Sequence, residues 1–404
     1  MKELAKLDVT ESGIYALAFS PDGKTLAAAG SDGHIRFLDA NTGKELNKLQ
    51  PAPLSQSSQQ IAQLGKAAGM NEGDFKIETL PKGFKVERLI VEPSEIQLTG
   101  ASDYAQLLVT AQLNNGARTD VTRMVKLSAQ GDVANASLRG QVTPKKDGAG
   151  SITVELAGLK AAAKVSVQGI GTKRKIDYVR DVMPVLSKLG CNQGTCHGSK
   201  DGKNGFKLSL RGYDPLYDVR AFTDELASRR VNIASPADSL MLLKATGAVP
   251  HEGGQVTKPG SKYYQVLHEW IANGAKLDLK SDRVTSIMLS PQNPVIQNIG
   301  GKQQMRIIAT YSNGAKRDVT TESFIESGNT DVAKTDEGGL VTVERRGEAA
   351  VLARFEGAYA ATTVTAMGDR TGFQWEKPVA WSQIDAFTAD KWKRMKIEPS
   401  GLCS

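Results

Sequence analysis

From residue 13 to 39 the chain reads GIYALAFSPDGKTLAAAGSDGHIRFLD. Apolar and polar positions alternate, and Pro21-Asp22-Gly23 and Ser31-Asp32-Gly33 interrupt them. A period of two broken by such residues predicts short half-buried strands joined by tight turns. Over residues 51–83 no period persists and Gln, Ser and Gly recur, which predicts a linker. Alternation returns in LIVEPSEIQL at 89–98 and ends in SITVELAGLKAAAKVSV. The pattern then changes. IDYVRDVMPVLSKLG puts Ile176, Val179, Val182, Met183, Leu186 and Leu189 on one face of a helix, with Asp177 placed to cap it and Pro184 to kink or restart it. SKYYQVLHEWIANGA predicts a second helix, with Ser261 as N-cap, Tyr264, Leu267, Trp270 and Ile271 on its apolar face, and Gly274 as its stop.

Alternation resumes after residue 282, and it resumes as a repeat. LLVTAQLNNGARTDVT at 107–122 matches MRIIATYSNGAKRDVT at 305–320, and LIVEPSEIQL matches IMLSPQNPVI at 287–296. Each copy spans roughly 85 residues of short strands, which suits a small β-sandwich. Asn-Gly is a hairpin signal because both residues tolerate positive φ, and the Asp and Thr that follow can satisfy turn backbone. The motif therefore reads as structural and not catalytic. The organisation expected is a first β segment at 1–50, a linker at 51–83, sandwiches at 84–169 and 282–368, a helical domain at 172–281 between them, and the start of a further domain at 372–404.

Composition adds exclusions. Apolar residues make up 40% of the chain and charged residues 24%, ordinary for globular protein. The net charge of +7 is spread along the chain without basic blocks interleaved with aromatics, so nucleic acid is not an expected partner. No apolar run is long enough to span a bilayer, and MKELAKLDVTESG lacks the apolar region of a signal peptide. Three cysteines are too few for a disulfide framework. No nucleophile–base constellation is present, so the expectation is a carrier or binding protein and not an enzyme.

Two of those cysteines and a histidine fall in LGCNQGTCHGSK: Cys191, Cys196 and His197. Covalent haem attachment needs two thiols that reach two vinyl groups and a histidine directly after the second, which delivers its ring to the iron. The spacing here is C-x4-C-H, wider than the usual C-x2-C-H. A six-coordinate haem wants a second axial ligand. His251, in the loop AVPHEGGQV, is the first candidate. Met241, His268 and Met183 are the others, though Met241 and Met183 suit a core and His268 can pack or face water. Cys191, Cys196 and His251 can alternatively be read as zinc ligands, with His197 idle. A disulfide between Cys191 and Cys196 is a third reading. Lys203, Lys207 and Arg211 can steer an acidic redox partner or simply be solvated.

Several stretches resemble known families. AFSPDGKTLAAAGSDGHIRFLD resembles one WD40 blade, with Leu38-Asp39 where Trp-Asp is usual and His34 on a strand. One blade leaves open edges, so the resemblance implies that earlier blades of a propeller precede this chain. Both repeats resemble the bacterial immunoglobulin-like group 2 domain through the Val-x-Pro strand and the Asn-Gly-x-x-x-Asp-Val-Thr turn. GCNQGTCHGSKDGKNGFKLSLRGYDP, VPHEGG and YYQVLHEWIANGA resemble the cytochrome c-like domain of large planctomycete proteins. Where that family commonly has Met-Pro-Pro, this sequence has Pro250-His251-Glu252, which supports His251 as the ligand. WSQIDAFTADKWKRMKIEPSGLCS resembles the opening of the domain that follows in those proteins, with Cys403 unpaired. The resemblance implies a mainly β multidomain chain with haem c and its iron, electron transfer, and a periplasmic or cell-surface location. The competing expectation is a structural or adhesive protein that meets a polysaccharide or a surface partner, with a degenerate haem site.

Overall fold

The computed structural model describes residues 14–30, 35–49, 78, 80, 85–172, 175–368, 370 and 372–401. The fold is mainly β, with several small sheets and few helices. Two compact units divide the chain: Met1–Gly69 with Leu243–Ser261, and Met70–Leu242 with Lys262–Ser404. The linker expected at 51–83 lies outside the described residues except for Glu78 and Leu80.

In the first unit, β1 (Ile14–Phe19), β2 (Thr25–Gly30), β3 (Ile35–Asp39) and β4 (Glu45–Leu49) form an antiparallel meander in chain order. Short carboxylates shape its turns. Asp22 accepts from the Ser20 hydroxyl and the Lys24 amide, and Asp39 accepts from the amides of Asn41 and Thr42. Such side chains mimic a backbone acceptor and close the bend. Ala28 and Leu38 are buried. In the other part of this unit, the Lys244 ammonium caps the Pro250 carbonyl and the amide of Val256 donates to Ala245.

In the second unit each sequence repeat carries ten strands. The first has β5 (Val86–Glu92), β6 (Glu95–Thr99), β7 (Ala105–Gln106), β8 (Leu108–Leu113), β9 (Arg118–Asp120), β10 (Lys126–Gln130), β11 (Ala134–Ala136), β12 (Gln141–Pro144), β13 (Gly148–Leu156) and β14 (Leu159–Gln168). The second has β15 (Val284–Ser290), β16 (Val295–Ile296), β17 (Lys302–Gln304), β18 (Arg306–Tyr311), β19 (Lys316–Asp318), β20 (Phe324–Ser327), β21 (Ala333–Thr335), β22 (Leu340–Val343), β23 (Gly347–Phe355) and β24 (Ala358–Ala366). The sheets correspond strand for strand: β5-β8-β9 to β15-β18-β19, β10-β13-β14-β6 to β20-β23-β24-β16, and β11-β12-β7 to β21-β22-β17. β6 and β16 pair in parallel with β14 and β24, and the other pairs are antiparallel. Each copy encloses its own apolar core, with Val109, Val121 and Val142 in one and Ile307, Val319 and Val341 in the other fully buried.

The repeated motif does two jobs. Its Asn-Gly makes the turn, but only the glycine takes positive φ, 79° at Gly116 and 80° at Gly314. The asparagine works through its side chain, accepting from the amide of Ala117 at 3.0 Å or Ala315 at 2.8 Å. The aspartate reaches from one copy to the other. Asp120 accepts from the Gln304 amide at 2.6 Å, and Asp318 accepts from the Gln106 amide at 2.8 Å. These four residues occupy equivalent positions in the two repeats, so the contact is reciprocal, as in a two-fold dimer. Arg123 pairs with Asp120 and Arg306 with Asp318 inside each copy.

Between the copies runs the helical segment. Asp177 accepts from the Arg180 amide at 2.9 Å and opens a π turn, Tyr178–Val182, followed by α1 (Met183–Lys188) with Pro184 in its first turn. Proline lacks an N–H and sits best there, so the helix restarts at Pro184. Then come α2 (Pro215–Thr223), α3 (Leu240–Ala245) and α4 (Lys262–Ala272). Ile176, Val179, Val182, Met183 and Leu186 face one core with Leu267, Trp270 and Ile271. Lysines fasten this segment to the second copy. Lys188 donates to the carbonyls of Ser323 and Glu337, and Lys262 pairs with Glu322 at 2.7 Å. The last helix, α5 (Gln383–Met395), starts with a capping box between Ser382 and Asp385. No helix among the described residues is long and apolar enough to cross a membrane.

Candidate functional site

The sequence brings Cys191, Cys196 and His197 into one tight loop directly after α1. The amide of Cys191 donates to Leu186, that of Cys196 to Gln193 at 3.0 Å, and that of His197 back to Cys191 at 3.1 Å. The Gly198 amide also donates to Gln193. A β-carbon at Gly198 would stand 2.2 Å from the Asn192 carbonyl oxygen, so only glycine lets the loop fold back this closely. The amide of Leu208 then donates to His197 at 2.8 Å and ties the loop to the next segment.

His197 Nδ1 lies 3.0 Å from the carbonyl oxygen of Phe206. A carbonyl only accepts, so Nδ1 carries a proton and donates it there. This is how proteins orient a metal-ligating imidazole. The ring also packs on Phe206 (4.6 Å), Phe206 on Phe222 (5.1 Å), Phe222 on Trp270 (6.0 Å) and Trp270 on Tyr178 (5.2 Å). The imidazole thus stands at the end of an aromatic row that reaches the buried centre of the segment.

Both cysteines carry free thiols and are half-buried. The Cys191 thiol packs against the apolar core. Burial, and then the neighbouring Cys196, push its pKa up to about 12. It is therefore neutral at physiological pH, and a neutral thiol is a poor nucleophile and a poor thiolate ligand. Two buried polar atoms in this segment have no hydrogen-bond partner among the described residues: the Tyr178 hydroxyl and Asn192 Oδ1. Asn192 Nδ2 donates to Ser187. Orphaned groups in a closed site are costly unless an incoming group completes them. Two free thiols and an oriented imidazole on one loop are the donor set that covalent haem attachment would use.

The other candidates fall as follows. His251 Nδ1 lies 2.8 Å from the Gly254 carbonyl oxygen within its own loop and donates to it. Met183 is core, and Met241 is half-buried against the same core. His268 stacks on Tyr264 with centroids 5.8 Å apart. Lys203, Lys207 and Arg211 are exposed. His34 and Cys403 lie outside the described residues. Among the described residues no group of three or more His, Cys, Asp or Glu is placed to hold a metal ion, so the zinc reading gains nothing. Sequence reasoning missed Phe206, Phe222 and Asp218. The i, i+3 spacing of Val219 and Phe222 was the available signal for that face. Asp218 is buried, accepts from the Ser209 amide and hydroxyl, and is pushed up to about 6 by burial.

The profile of the anaphase-promoting complex subunit 4 WD40 domain matches residues 4–64. No curated protein matches the chain. Among solved structures, domains 5-6 of the S-layer protein SbsC cover 72% of this chain and all of theirs at 11% identity, with a TM-score of 0.29. Domains 4-9 of the same protein cover 88% of this chain and 47% of theirs at 11% identity, with a TM-score of 0.28. Extracellular domains 3-5 of Drosophila OTK cover 87% and 78% at 8% identity, with a TM-score of 0.15. At scores this low the likeness carries neither fold nor function.

Proposed function

We propose that residues 172–281 bind haem covalently through Cys191 and Cys196, with His197 as an axial ligand, and that the protein carries electrons. The observation that supports this best is the Nδ1 contact of His197 with the Phe206 carbonyl, on a loop that carries two free thiols. Each thiol would add across a vinyl double bond. A sulfur–carbon bond forms at one carbon, the thiol proton goes to the other, and no electron is transferred. Bound haem supplies one-electron exchange between ferric and ferrous iron. The chain's own part is to hold the imidazole by Phe206, to keep water out with Phe206, Phe222 and Trp270, and to fix the loop through Gly198. His251, in the Pro/Gly-rich loop AVPHEGGQV, stays the first candidate for a second iron ligand. Two histidines would lower the potential relative to histidine and methionine. Thioether attachment places the protein in the periplasm or at the cell surface, and Lys203, Lys207 and Arg211 suit an acidic redox partner.

The test is expression in an exporting host with haem-maturation machinery, followed by a pyridine haemochrome assay on the denatured chain. A Soret band that stays with the chain is expected, lost when both cysteines are replaced by serine. Exchange of His251 for alanine should then change the spectrum of the low-spin iron. A colourless protein, with a control cytochrome maturing in the same cells, removes the electron-transfer reading and leaves the β domains as binding surfaces.

A further inference from the structure

Arg211 stands just beyond the cysteine loop, and its backbone is left-handed, with φ 58°. For a residue with a side chain that conformation costs about 1 kcal/mol or more, and strain of this kind is kept where the surroundings enforce it. Its amide donates to the Asn192 carbonyl at 2.9 Å, and its guanidinium donates to the Tyr359 hydroxyl at 3.3 Å. Arg354, on the hairpin of β23 and β24, lies over the Phe324 ring, 4.9 Å from the centroid. Neither guanidinium forms an ion pair among the described residues.

Both line a cavity of about 30 Å³ with Lys188, Glu322, Glu356 and Tyr359. The two carboxylates there have partners of their own, Glu356 through one of its oxygens. Glu322 accepts from Lys262 and Tyr104, and Glu356 from the Val284 amide. Burial, and then the charge of Arg211, make Arg354 hold its proton less tightly than usual. Lys188, Arg211 and Arg354 thus bring three cationic side chains to the wall, and neither guanidinium is ion-paired with Glu322 or Glu356.

We propose that this cavity binds a carboxylate. Planar guanidinium groups match the two oxygens of a carboxylate, and the match is stronger than for a point charge. The volume also fits. It holds on the order of two water-sized probes, room for a three-atom carboxylate head. The carboxylate belongs either to a free small acid or to an aspartate or glutamate of a partner protein. The site does not depend on haem being bound.

The full chain is titrated with sodium formate, against sodium chloride at equal ionic strength, while thermal unfolding is followed. Formate should raise the midpoint saturably by about 2 °C over chloride. Arg354→Met and Arg211→Gln should each remove that difference, with the chloride midpoint unchanged or higher because a repelling charge has gone. A peptide with blocked termini and one glutamate is the second arm. Tighter binding than formate assigns the site to a partner's side chain, and weaker binding assigns it to a free acid. No saturable difference between formate and chloride in the unaltered chain overturns the proposal. So does a difference that survives in both variants.

Discussion

Glu356 is a single residue whose ionisation the fold resists. Its side chain is closed off from water, one oxygen has no hydrogen-bond partner among the described residues, and burial pushes its pKa up to about 7 against contributions from the Val284 amide and Arg283. In the unfolded chain it titrates near 4.5. Between those values the folded state keeps a proton the unfolded state has lost, so stability falls as pH rises from about 4.5 to about 7 and stays lower above. Glu322 acts in the opposite sense. Burial alone would raise its pKa, but Lys262 and Arg317 prevail and hold it at about 2. Its contribution is present above its ordinary value and is lost as pH falls toward 2. Glu356→Gln should therefore stabilise the chain by on the order of 2 kcal/mol at pH 8 and by almost nothing at pH 4. Urea unfolding at the two pH values reads this directly. Equal effects at both would show that Glu356 titrates normally.

At the scale of elements, local pattern was a good guide where contacts are local. The 3.6-residue spacing marked a buried face that runs from Ile176 through the π turn into α1, and all of its members but Leu189 are buried. Leu267, Trp270 and Ile271 of α4 are buried as expected, while Tyr264 is only half-buried. The cap at Asp177 and the restart at Pro184 were legible because both act within one turn. The loop from Cys191 to Gly198 stood out by its residue types but not by its shape, since its folding back rests on amide contacts that leave no periodic trace. Gly198 is the point where that shape can be tested. A β-carbon there meets backbone and not a movable side chain, so Gly198→Ala should open the loop at a cost of about 1–3 kcal/mol. The imidazole would lose its place beside Phe206. Haem incorporation in the exporting host should drop several-fold relative to the unaltered chain, and the thiols should label faster with a maleimide. Unchanged labelling would mean that the loop tolerates the methyl group.

At the scale of the molecule, the sequence repeat was visible but its purpose was not. Asn-Gly-x-x-x-Asp-Val-Thr reads as a turn, and the turn needs only the first two residues. The aspartate's partner lies 184 or 212 positions away in the chain, and no local pattern points to it. The reciprocity of Asp120 with Gln304 and Asp318 with Gln106 makes the two copies one structural piece. Lys262 and Lys188 then fix the helical segment to that piece through Glu322, Ser323 and Glu337. An aspartate so buried is held by several donors at once. Asp318 also accepts from Arg306 and from the amide and hydroxyl of Thr320. Asp318→Asn leaves Arg306 without its countercharge and sets an amide donor where acceptors are needed, a loss of about 3 kcal/mol. Asp120→Asn should cost a similar amount. Because both close one interface, the double variant should cost clearly less than the sum of the two. If the two aspartates served only their own turns, the costs would simply add, and urea unfolding of the four proteins decides between these outcomes. Non-additivity would mean that the repeat was kept as a matched pair, and that the cysteine loop rides on a paired β scaffold.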